Sequence, residues 1–106
     1  MTRRADAIPA TSIAIAEARK LAEHICEAAA DEFRILDDPV LMAPGRRIQD
    51  AKAVAAAALS LLGISSYVIT DLLNYASQDT CFYAIKRADD RLADKVLGAV
   101  GMRRQP

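Results

Sequence analysis

Apolar residues recur at helical spacing over most of the chain. From residue 11 onward Ile13, Leu21, Ile25, Ala28 and Ala29 follow one another at roughly three- and four-residue steps, with Glu17, Lys20, Glu23 and Glu27 between them. Thr11 or Ser12 is placed to cap this helix, and residues 1–10, which contain two arginines and Pro9 but no periodicity, read as an arm. The helix should stop before Pro39, because a proline pushes the preceding residue out of the α region. Leu41 and Met42 are then expected to anchor the linker to the core. The stretch APGRR at residues 43–47 is a loop by its two backbone punctuators.

A second long helix is predicted from about Ile48 to Leu62, with Ala51, Val54, Ala55, Ala58, Leu59 and Leu62 on a wide apolar face. So many alanines imply other helices crossing close to its backbone. Gly63 can take the left-handed conformation that ends it, and Ser65 or Ser66 can cap a short third helix whose apolar positions are Val68, Ile69, Leu72 and Leu73. After a turn at Asn74, Tyr75 and Ala76, Ser77 caps a last helix with the stripe Cys81, Ile85, Ala88, Leu92 and Val96, reaching Gly98. A short helix, a tight turn and a longer helix form a helix-turn-helix candidate over about residues 65–92.

Composition agrees with an all-α domain of four to five helices over residues 11–98, followed by a basic tail, residues 99–106. The chain has 106 residues, 53% hydrophobic, rich in alanine and without tryptophan, which disfavours a β-sandwich. Fourteen basic and fourteen acidic residues cancel, so no global field draws it to nucleic acid or an anionic membrane. The charge is nevertheless uneven: residues 12–38 carry three basic and seven acidic groups, while residues 39–87 carry Arg46, Arg47, Lys52, Lys86 and Arg87 against Asp50, Asp71 and Asp79.

Cys26 and Cys81 lack a second cysteine or histidine at metal-ligand spacing, and two buried thiols in a reducing cytosol are expected. No apolar run approaches the ~20 residues of a membrane span. His24 has no second histidine with which to build a metal or general-base site, and is expected at the surface or partly buried. Asp37–Asp38 and Asp89–Asp90 are adjacent carboxylates that do not face each other on a helix, and solvation and capping account for them. With no nucleophile elbow, phosphate-cradling glycine loop or Cys/His cluster, the reading is a non-enzyme without cofactor, metal or small-molecule substrate.

In a helix-turn-helix the second helix presents its N-terminal residues to base edges. The outward positions here are Gln78, Asp79, Thr80, Tyr83, Lys86 and Arg87. Glutamine can pair with adenine, threonine with a base edge or thymine methyl, and aspartate with the cytosine amino group.

Residues 65–84, SSYVITDLLNYASQDTCFYA, can be laid without a gap on the pattern S-L-x-E-I-G-x-x-F-G-G-R-D-H-[ST]-T-V-x-x-A. Ser65, Ile69, Thr80 and Ala84 are identical, Leu73 stands at the Phe and Cys81 at the Val. On these residues the chain from Arg46 to about Leu92 resembles the C-terminal DNA-binding domain of the bacterial replication initiator DnaA, and Ile13 to Leu41 can be laid on the helix and linker before it. The resemblance implies a Trp-repressor-like all-α fold and a cytoplasmic, nucleoid-associated binder of double-stranded DNA.

By that resemblance Ser77, Gln78, Asp79 and Thr80 lie at the reading end, while Arg46, Arg47, Lys52, Lys86 and Arg87 serve phosphates or the minor groove. The family's Arg-Asp-His-[Ser/Thr] is replaced by Ala76, Ser77, Gln78 and Asp79, so a different target is expected. Its two turn glycines become Asn74 and Tyr75, which implies a different turn geometry. The family's aligned loop arginines are held by Gln49 and Ala51, with Arg46 and Arg47 close by. No P-loop is present, so the expectation is a small stand-alone regulator of phage or bacterial type. The alternative is an adaptor of the same fold that holds a protein partner; a helical homodimer is compatible with either.

Overall fold

The computed structural model describes residues 3–37 and 41–103, with side chains from residue 16 onward. The described residues form five helices and no strand: α1 (Arg3–Glu32), α2 (Arg46–Leu61), α3 (Ser66–Leu72), α4 (Gln78–Arg87) and α5 (Asp90–Ala99). The all-α expectation holds. At the centre lies α2, against which α1, α3, α4 and α5 all pack. Every residue from Ala51 to Leu59 is buried, so α2 is enclosed on all sides rather than along one face. Alanine is what permits this, since a methyl side chain lets neighbouring helices approach the backbone while keeping the highest helix propensity.

Around that axis the core is completed by Ala22, Ile25, Cys26, Ala29 and Ala30 from α1, Ile69 and Leu73 from the α3 region, Cys81 from α4, and Ala93, Val96 and Leu97 from α5. Both cysteines are buried and they are not joined in a disulfide. Leu41 is fully buried, as expected, but Met42 is 56% exposed. Leu41 adopts a left-handed φ of 59°, and the chain has left the core one residue later. Val68, expected inside, is also exposed.

Arg46 and Arg47, expected in the loop at residues 43–47, instead form the first residues of α2, and two further helix boundaries differ from the sequence reading. The first is the start of α1: residues 3–10, expected as an arm before a cap at Thr11 or Ser12, continue the helix to Arg3. Extending a helix that already exists requires no new nucleus, and Arg3, Arg4, Ala5, Ala7 and Ala10 are strong helix formers that offset Pro9. The side chain of Ile13 and residues 38–40, including Pro39, lie outside the described residues. The described end of α1 is instead set by Arg34 at φ 55°, with Arg34 N–H donating to Asp31 O and Ile35 N–H to Ala30 O. The same paired closure, a Schellman motif, ends α2 at Gly63, α3 at Asn74 and α5 at Gly101.

The second difference is a break in what reads as one last helix. Ala88 takes φ −70°, ψ 150°, and the Asp89 carboxylate accepts hydrogen bonds from Arg91 N and Leu92 N, which starts α5 afresh. The apolar stripe crosses the break because α4 and α5 both pack on α2. Capping thus explains Asp89. Replacing it with alanine is expected to cost about 1 kcal/mol, seen as a lower Tm, whereas Asp89→Asn should retain most of the stability because asparagine also caps. Equal losses for both variants would refute the capping role.

Candidate nucleic-acid interface

Helix α3 starts at Ser65, whose hydroxyl accepts from Val68 N, and the Thr70 hydroxyl donates to Ser66 O at 2.6 Å. It closes at Asn74, whose φ of 58° suits asparagine better than most residues. Only Asn74 of the turn's two aligned positions is left-handed, so Tyr75 stands where a second glycine is not required. Ser77 then caps α4: its Oγ accepts from Thr80 N at 3.1 Å and lies 2.9 Å from Thr80 Oγ1. Asp79 in the first turn and Lys86 and Arg87 in the last complement the helix dipole. Gln78 Nε2 donates to Ser66 Oγ at 3.0 Å, which ties the starts of α3 and α4 together.

Cys81 and Ala84 face the core, while Gln78, Asp79, Thr80, Tyr83, Lys86 and Arg87 are all exposed as the sequence reading expects. Phe82 joins them at 52% exposure, beneath the Lys86 ammonium, which sits 5.0 Å from its ring centre. Tyr67 on α3 and Tyr83 on α4 are 74% and 75% exposed. Three of the five aromatic side chains therefore lie open on this helix pair.

At its own start α2 differs from α3, α4 and α5 in lacking a side-chain cap among the described residues, since its N-cap is Gly45 at φ 128°; like α3, it has no acid in its first turn. The free amides and the positive end of the dipole make such a terminus receptive to an anion. Arg34, Arg46 and Arg47, together with the one carboxylate of Asp37, line a shallow depression of about 470 Å³ around it. Arg34 escaped the sequence reading because nothing local marks it; only the fold brings the end of α1 beside the start of α2. Arg47 is already engaged, since Nη2 donates to Phe33 O and, at 3.3 Å, to Arg34 O.

Asp50, four residues after Arg46 and so on the same helical face, pairs with Arg87 Nη1 at 3.1 Å. The pair is exposed and worth little in stability. Its value is geometric, for it places the C-terminal end of α4 beside α2 one turn after its start.

Lys52 does not belong to this surface. It is 8% exposed, with Nζ 4.4 Å from the centre of the Tyr75 ring. Burial pushes its ammonium below the ordinary lysine value, opposed by the charges of Cys26 and Cys81. The expectation that Lys52 contacts phosphate is corrected on this ground: α2 is enclosed on every side, so its polar positions are not all at the surface. Burial likewise pushes the Tyr75 phenol far above its usual value, with Cys81 and Cys26 adding and Arg87 opposing. Tyr75 Oη has no hydrogen-bond partner among the described residues. Burial also raises the Cys81 thiol, against a hydrogen bond from Thr70 and the charge of Lys52.

Among the described residues no cluster of three metal-ligating side chains occurs and no helix is long and apolar enough to cross a membrane. His24 is exposed. Compared with protein-family models, curated proteins and solved structures, the chain matches none.

Proposed function

We propose that this protein binds double-stranded DNA sequence-specifically, as a small regulator of transcription or replication related to the DnaA C-terminal domain. The observation that carries the reading is the start of α2, with Gly45 at its N-cap and Arg34, Arg46 and Arg47 outnumbering Asp37 around it, linked through Asp50 and Arg87 to the α4 helix that bears Gln78, Asp79 and Thr80. Phosphates would be held by Arg34, Arg46, Lys86 and Arg87 together with the first amides of α2, and bases would meet the opening turn of α4.

Four such contacts give a log–log salt slope of about −4 for binding to duplex DNA. Changing Arg46 and Arg47 together to glutamate should lower affinity for all duplexes and flatten that slope. Absence of duplex binding at low salt, or binding indifferent to salt, sinks the proposal. A second reading, the adaptor, draws support from the open aromatics Tyr67, Phe82 and Tyr83, because aromatic residues are enriched in protein interfaces. It is adopted if duplex binding is absent.

A further inference from the structure

The hydrogen bonds at the start of α4 divide the four reading-end residues into committed and free. The Ser77 and Thr80 hydroxyls are paired with each other, and Ser77 Oγ also holds Thr80 N. The Gln78 amide nitrogen is turned to Ser66 Oγ at 3.0 Å; bidentate pairing with adenine requires both ends of the amide on one base. Asp79 is exposed, and its carboxylate has no hydrogen-bond or ion-pair partner among the described residues. Tyr83, one turn later on the same face, stands open beside it.

We infer that Asp79 is the specificity-determining residue of this protein and that it selects cytosine in the major groove. The inference rests on the DNA-binding reading. A carboxylate only accepts hydrogen bonds. Guanine O6 and N7 and thymine O4 are acceptors too and would be repelled. Adenine offers its N6 amino group, but N7 beside it directs a lone pair at the carboxylate. Cytosine offers the N4 amino group with no neighbouring acceptor on its own major-groove edge, so it is preferred. Tyr83 then supplies an apolar body one turn along the groove. The same negative charge repels phosphates, which makes binding to DNA lacking the cytosine weak and sharpens the contrast.

The test is selection of bound duplexes from a random pool by the full chain and by Asp79→Asn and Asp79→Ala, with helicity measured for each. Both substitutions are at an exposed position outside the core. The wild-type protein should enrich cytosine at one position by about tenfold over the other bases. Asp79→Asn, which both donates and accepts, should shift that position to adenine. Asp79→Ala should flatten that position alone and bind unselected duplex more tightly. If both variants keep the wild-type preference at every position, Asp79 is not the reader while DNA binding stands. If the wild-type protein selects no duplex, this inference and the DNA-binding proposal fall together.

Discussion

Ala55→Leu is expected to destabilise the domain by about 3 kcal/mol or more, lowering Tm by roughly 10–20 °C for a domain of this size. Ala55 is wholly inaccessible on a helix whose residues 51–59 are all buried, and Ala51 and Ala58 share its face. Leucine there adds three carbons at a position with no accessible surface, so the surrounding core must shift to admit them. The matched control is Ala16→Leu on an exposed position of α1, which should change stability by no more than about 0.5 kcal/mol. Thermal unfolding of the two variants beside the wild type decides the matter. A wild-type melting point for Ala55→Leu would mean that α2 is not tightly enclosed.

The second large effect is at Lys52. Lys52→Glu puts a carboxylate against the Tyr75 ring and beside two buried thiols, and is expected to cost about 3–5 kcal/mol. Lys52→Met keeps the length and removes the charge, so at neutral pH it should equal or exceed the wild type in stability, despite losing the ring contact. The pH dependence provides a separate check. Because the folded value of Lys52 lies below 10.5, the unfolded chain binds the proton more readily between the two values, and wild-type stability gains from this group as pH rises through that window. Any advantage of Lys52→Met should therefore shrink as pH approaches 10.5. The raised value of Tyr75 acts in the opposite sense above about its ordinary value and is common to both proteins, whereas the Cys81 thiol is raised further once the Lys52 charge is gone, which also erodes the advantage of Lys52→Met at high pH. Urea unfolding at several pH values reads the difference; an advantage that does not vary with pH contradicts the burial account. Duplex affinity should be unchanged in Lys52→Met, since the ammonium does not reach the surface.

What the sequence disclosed follows the range of the forces involved. Ser65, Ser77 and Gly63 act on backbone groups within a few residues, so their capping and terminating roles could be read directly and are found in place. The break at Ala88 could not, because the spacing from Cys81 to Val96 fits one continuous helix and only the geometry of Asp89 interrupts it. Lys52 reads as a phosphate contact from the sequence, since an amphipathic pattern cannot tell a helix covered on one face from one covered on all. At the candidate site the exposed positions of α4 were legible from periodicity. The engagements of Gln78 with Ser66, Arg47 with the end of α1 and Arg87 with Asp50 were not, as each joins residues 12 to 37 positions apart.

The guanidinium of Arg47 has one further consequence. It satisfies two carbonyls at the end of α1, so it cannot turn wholly to a phosphate without releasing them. Any anion that recruits Arg47 must therefore loosen the joint between α1 and α2, and by thermodynamic reciprocity whatever tightens that joint weakens the anion's hold by the same factor. The joint is thus a place where an event on the long first helix and occupancy at the start of α2 exchange free energy, without any change in the core between them.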